Sequence, residues 1–95
     1  MCGAVAGGLP VGVDVGKEAV IQGVVRRGGV PVVGYVRLLD GTGEFTAEVP
    51  TSATGEFRFF AAPGTWTVRA LVPGGTADQV VNAAVGEIAQ VDVAV

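Results

Sequence analysis

The sequence contains no histidine. That removes Ser–His and Cys–His nucleophilic pairs and histidine-held metal sites. It contains one cysteine, so no internal disulfide can form. No Gly-rich segment carries the lysine of a phosphate-binding loop. Six residues are basic against nine acidic, for a net charge of −3. The basic residues are dispersed, whereas a nucleic-acid footprint needs a basic face or stripe. No apolar run is long enough for a transmembrane helix. The N-terminus is apolar but lacks a basic leader region and is broken by Gly3, Gly7, Gly8 and Pro10, so it does not read as a signal peptide. The expectation is a cytoplasmic protein that is not an enzyme, has no cofactor, and binds neither nucleic acid nor membrane. A carboxylate pair is the one common catalytic device left open, and sequence does not set two carboxylates at working distance.

What is present points to strands. The chain has 95 residues, the length of one domain. A chain of this size buries only about 60–65% of its unfolded surface, so modest stability is expected. Its apolar residues are mostly valine, which is stiff at χ1 and packs well on a pleated surface. Sixteen glycines and five prolines break the chain at short intervals, which favours many turns over long helices.

Residues 1–16 have no period and read as a flexible N-terminal arm, with Val11 to Val15 able to lie along a sheet edge. Residues 17–95 read as the folded domain. The first strand is Ala19 to Arg26, with Ile21, Gly23 and Val25 on one face. Arg27 to Pro31 is a turn. Val33 to Asp40 is the second strand, with Val36 and Leu38 inward, Arg37 outward and Tyr35 half exposed. After the Asp40-Gly41-Thr42-Gly43 turn comes a short strand, Glu44 to Val49, with Phe45 inward. The stretch Thr54 to Ala70 is a turn, a strand, a Pro63-Gly64 turn and another strand. It holds three of the four phenylalanines and the one tryptophan. Alternation puts Phe57, Phe59, Trp66 and Val68 in the core. It turns Arg58, Phe60, Thr65, Thr67 and Arg69 outward. Asp78 to Val85 and Ile88 to Val95 are the last strands. About seven short strands, with turn signals every ~8–12 residues, fit a sandwich or a barrel.

The motifs Ile21-x-Gly23-x-Val25, Pro31 to Leu38, Gly55-Glu56-Phe57-Arg58-Phe59 and Pro63-Gly64-Thr65-Trp66-Thr67-Val68 resemble a carboxypeptidase-regulatory-like (transthyretin-like) domain. That resemblance covers residues 18–95 and implies a seven-stranded Greek-key β-sandwich. One departure is the second strand, where many relatives have apolar residues at the positions held here by Arg37 and Leu39. A buried unpaired arginine is costly, so the inward set is shifted to Val36 and Leu38. Met1-Cys2, Val36 to Asp40, Glu44 to Val49 and Phe57 to Ala62 are similar to a small actinobacterial family of unknown function, SseC-like. Its members tend to be encoded beside a rhodanese-type thiosulfate sulfurtransferase. The resemblance implies a link to sulfur metabolism and such a sulfurtransferase as partner.

Two candidate sites follow. Cys2 is the reactive candidate. Loss of Met1 would set its thiol beside an α-ammonium, and a nearby cation favours thiolate. Thiolate and amine together could chelate a soft metal, and an arm spanning on the order of 20 Å could carry a persulfide. A cysteine without role on a tail is the competing reading. The second candidate is a partner surface built from Tyr35, Arg37, Arg58, Phe60 and Arg69, since arginine and aromatic residues are enriched in interfaces. Against it, each arginine could simply pair with Glu48, Glu56 or another carboxylate. Asp40, Thr42 and Glu44 give a weak calcium-loop signal, short of the ligands such a loop needs. The expected function is a non-catalytic accessory or binding domain. Alternatives are a purely structural interaction module, self-associating through an exposed sheet edge, and a small-ligand or glycan binder.

Overall fold

In a computed structural model, residues 18–95 are described. The expected arm, and Cys2 with it, lie outside them. The described chain is all-β, with strands β1 (Ala19–Arg27), β2 (Val30–Pro31), β3 (Tyr35–Leu39), β4 (Phe45–Pro50), β5 (Glu56–Ala61), β6 (Gly64–Val72), β7 (Gly75–Ala83), β8 (Ile88–Gln90) and β9 (Val93–Ala94). No helix among the described residues is long and apolar enough to cross a membrane. The seven expected strands are present. The last of them is interrupted into β8 and β9, and the two-residue β2 falls where only a turn was expected.

The strands form two sheets. In the first, β1 is central, with β5 and then β2 antiparallel on one flank and β8 and β9 parallel to it on the other. The second runs β4-β3-β6-β7, antiparallel throughout. The sheets enclose one core. Ala19, Ile21, Val25, Phe57, Phe59 and Ala61 come from the first sheet, and Val36, Leu38, Val49, Val68 and Ala70 from the second. Each set keeps the two-residue period of its strand, which is why alternation could assign these faces. Val91, between β8 and β9, and Val93 of β9 close the core from the C-terminal segment.

Gly23 allows the β8–β9 interruption. A Cβ there would run into the backbone carbonyl of Val91. The chain crosses this bare position, with the Val91 N–H donating to Gln22 O at 2.8 Å and the Val24 N–H donating to Asp92 Oδ1 at 3.1 Å.

Three side chains depart from their expected places. Phe45 was expected inward and is 60% exposed. The register between β3 and β4 shifts between Leu38 and Leu39, so Leu38 faces Ala47 but Leu39 faces Phe45. That bulge adds a residue to β4 and turns Phe45 to the outer face, a parity reversal that one inserted residue always produces. Phe60 was expected as an outward surface residue and is 2% exposed. It does lie opposite Val20 on the side of the first sheet away from the core cluster, but both are buried there. Alternation assigns a face and says nothing of what covers that face. Trp66, expected in the core, is half-buried against it, and its indole N–H donates to Ala62 O at 2.9 Å.

Candidate functional site

The outer face of the four-stranded sheet brings three of the expected surface residues together. Arg37 on β3 lies directly opposite Arg69 on β6. Glu48 on β4 flanks Arg37, and Asp78 on β7 flanks Arg69. The row across the sheet therefore reads Glu48, Arg37, Arg69, Asp78. Two like charges directly opposite each other destabilise a sheet. Here each arginine draws away to its own carboxylate. Arg37 Nε sits 2.6 Å from Glu48 Oε1. Arg69 holds Asp78 at two points, Nε to Oδ1 at 2.8 Å and Nη2 to Oδ2 at 3.0 Å. This pairing is the competing sequence expectation for both residues. It also fixes two guanidinium groups side by side on the surface.

Apolar side chains flank the row on both sides along the strands. Tyr35, 54% exposed, is opposite Pro50 and Leu71 on one side. On the other, Phe45 carries the Arg37 guanidinium 5.7 Å above its ring. Exposed Val80 stands opposite Thr67 nearby. Tyr35 and the Leu39–Phe45 pair are four residues apart along β3, roughly 13 Å. A shallow depression of about 510 Å³ lies beside the arginines, lined by Leu71, Thr76, Ala77 and Asp78.

Arg58 does not join this face. It projects from β5 on the outer face of the opposite sheet, where its Nε donates to Gln22 Oε1 at 2.9 Å. A 370 Å³ depression there is lined by Gln22, Gly23, Val24, Glu56, Phe57, Arg58 and Gln90. With Phe60 buried on that same side, the single five-residue surface expected from sequence is corrected. Tyr35, Arg37 and Arg69 share one face. Arg58 is behind the molecule, and Phe60 is covered. Phe45 and Val80 belong to the face although neither was expected there. No sequence signal marks the bulge that exposes Phe45. Asp78 was findable: a two-residue loop at Pro73-Gly74 pairs Val72 with Gly75, and counting back sets Arg69 against Asp78.

The Asp40 turn uses its carboxylate internally. Asp40 Oδ1 accepts from Thr42 N at 2.9 Å, Thr42 Oγ1 at 2.7 Å and Glu44 N at 3.0 Å. These bonds, the Thr42 hydroxyl first, hold its pKa below the ordinary 3.8. Asp78 is likewise lowered, first by its hydrogen bonds from Arg69. Both folded values lie below the unfolded one. Their stabilisation is therefore complete above about pH 4 and is lost as pH falls through the folded values. The urea midpoint is expected to drop between pH 5 and pH 2, and Asp40→Asn with Asp78→Asn should flatten that slope. Parallel urea titrations of the two proteins check it.

The fold and this face define a small all-β sandwich of the kind that presents a sheet surface. Residues 2–95 match the family described as protein of unknown function (DUF1416), and the chain belongs to that family. It is 57% identical over 89 residues to an uncharacterized protein of Mycolicibacterium smegmatis, covering 92% of this chain and 99% of that one. It is 56% identical over 87 residues to uncharacterized protein Rv0814c of Mycobacterium tuberculosis, covering 90% and 87%. Among solved structures, it resembles a DUF3823 family protein from Parabacteroides merdae, with TM-score 0.63 at 14% identity. The alignment covers 82% of this chain and 45% of that chain, so this chain spans less than half of that neighbour's length. It also resembles the dioxygenase domain of a dioxygenase–carbohydrate-binding protein fusion from Streptomyces sp. SirexAA-E, with TM-score 0.60, 16% identity and 92% and 84% coverage. At such identities the likeness is one of fold.

Proposed function

We propose that this protein is a non-catalytic binding domain that docks a protein partner through the outer face of its four-stranded sheet. The observation that carries this reading is the Glu48–Arg37–Arg69–Asp78 row, flanked by exposed Tyr35, Phe45 and Val80. Aromatic and arginine side chains held rigidly in the middle of a face are what interface hot spots are made of. A matching partner offers acidic groups to the central arginines and apolar contacts on either side. The lack of histidine supports a binding role over a catalytic one.

The partner in this reading is a rhodanese-type thiosulfate sulfurtransferase, supported by the sequence resemblance to the SseC-like family. Cys2 would receive sulfur from it. The Cys2 thiolate attacks the terminal sulfur of the enzyme's persulfide, one S–S bond forms as another breaks, and the enzyme thiolate leaves. No net oxidation is needed. The glycan-binding alternative is less well supported. The exposed aromatics lie on an open face, while the depression beside Arg58 holds only buried Phe57.

Titration calorimetry of the full chain against the sulfurtransferase tests the face. Arg37→Gln with Arg69→Gln is expected to weaken binding tenfold or more while leaving the fold intact, because exposed ion pairs contribute only about 0–1 kcal/mol each. With thiosulfate added, intact mass should show one extra sulfur on the wild type and none on Cys2→Ser. Binding untouched by the double substitution removes this face from the reading. Failure of the wild type to bind removes the sulfurtransferase, and a chain whose mass never changes removes the carrier role.

A further inference from the structure

The second sheet ends on β7, a strand that lacks the usual protections of an edge. Natural edge strands are blunted by shortness, bulges, prolines, lysines or charges. The other edges follow that rule. β4 has six residues, carries a bulge and ends at Pro50. β5 also has six and carries Glu56 and Arg58. The β8–β9 edge is interrupted at Val91–Asp92. By contrast, β7 runs nine residues, Gly75 to Ala83, in unbroken register with β6. It has no proline, no lysine and no positive φ. Its one charge, Asp78, is held by Arg69 of its own sheet.

The orientation of its polar backbone groups follows from the hairpin. A two-residue loop closes on the hydrogen-bonded pair Val72–Gly75, so Thr76, Asp78, Val80 and Asn82 aim their N–H and C=O groups away from β6. Gln79 agrees with this: its amide Nε2 reaches round to Val80 O at 3.4 Å, a long bond to a carbonyl that β6 does not use. Among the described residues, no backbone group from another element bonds to this outer edge.

We infer that β7 pairs antiparallel with β7 of a second copy of this chain, joining two four-stranded sheets into one of eight. The strand is self-complementary about a two-fold axis through Gln79. In that register Thr76 faces Asn82 of the second copy, Asp78 faces Val80, Ala77 faces Val81 and Gly75 faces Ala83. All nine residues are used, no like charges oppose each other, and the four outward-aimed residues fall into hydrogen-bonded pairs. A register centred on Asp78 would set two carboxylates face to face. Exposed Val80 loses water contact beside the second copy's Asp78 stem. The isologous geometry closes at two chains, so it yields a dimer and not a fibre. This association needs no partner protein and is independent of the docking proposed above.

Sedimentation velocity of the full chain, from micromolar to millimolar, tests it together with amide hydrogen exchange. A concentration-dependent dimer is expected, with Thr76, Asp78, Val80 and Asn82 amides protected in step with dimerisation. Val80→Pro removes an outward N–H and no ladder bond to β6, which an edge strand tolerates. By symmetry it removes two intermolecular bonds, so self-association should weaken roughly tenfold or more. Val80→Asp should do the same, because it sets a carboxylate opposite the second copy's Asp78 at both symmetric positions, and it decides the matter if the proline variant does not fold. A monomer at every concentration overturns the inference. Protected β7 amides in that monomer would assign the edge to this chain's own N-terminal residues. A dimer untouched by both variants overturns it as well and puts the interface elsewhere.

Discussion

Gly23→Ala should cost this domain about 3 kcal/mol or more, the upper range for overpacking. The added Cβ would lie closer than 3.0 Å to both the carbonyl carbon and oxygen of Val91 and only 3.1 Å from Phe57 Cζ. The Val91 atoms are backbone and have no rotamer to escape into. Their position is also committed. Val91 N–H is bonded to Gln22 O, and beyond it the Val95 N–H is bonded to Arg26 O, both at 2.8 Å. Moving Val91 aside therefore pulls β8 and β9 off β1 and opens the core at Val91 and Val93. A domain of this length has about 5–15 kcal/mol in all, so a loss of this size leaves little margin. Gly28→Ala is the control. A Cβ there meets nothing within 4 Å, and the residue's φ of 59° costs roughly 1–2 kcal/mol for a residue other than glycine. Urea unfolding of the two variants should separate them clearly. Equal midpoints would mean that the C-terminal strands do not cross β1 at Gly23.

Phe59→Ala should cost about 3–5 kcal/mol, the usual range for emptying a buried aromatic site. Phe59 is among the largest fully buried side chains. It sits opposite Ile21, with its ring centroid 6.1 Å from that of Phe57 at a tilt of 55°. Neighbours from both sheets meet around it, so no single strand can shift to fill the space. Phe45→Ala, by contrast, should change stability by less than about 1 kcal/mol, because its ring is mostly in water and its cation–π contact with Arg37 is exposed. Thermal melts of both variants measure the difference. The two phenylalanines look alike in sequence: each lies on an alternating strand entered through a Gly-Glu-Phe step, Phe45 as its last residue and Phe59 two residues beyond it. The β4 bulge turns Phe45 to the surface, while the unbroken register of β5 with β1 keeps Phe59 in the core.

Edge pairing through β7 and docking through the outer face would use the same sheet and overlap only near Val80. One uses backbone groups at the rim and the other uses side chains on the surface. In the dimer, the two Glu–Arg–Arg–Asp rows would lie on one continuous outer face. A partner with two copies of the complementary strip would then gain from both at once.

By itself the sequence determined the class of structure and the face of most side chains. Valine content and closely spaced turns called for strands, and the two-residue period assigned Ile21, Phe57, Phe59, Val36, Leu38 and Val68 inward, where they are. These properties are local: they depend on a residue and its nearest neighbours in the chain. Tertiary structure decided what local patterns do not contain. Sheet membership separated Arg58 from Arg37 and Arg69, because β5 pairs with β1 while β3 pairs with β6. A bulge reversed Phe45, and packing over the first sheet buried Phe60. The nine-residue register with β6 left β7 as an open edge. Each outcome depends on contacts between residues far apart in sequence, and those contacts are set when the whole core closes.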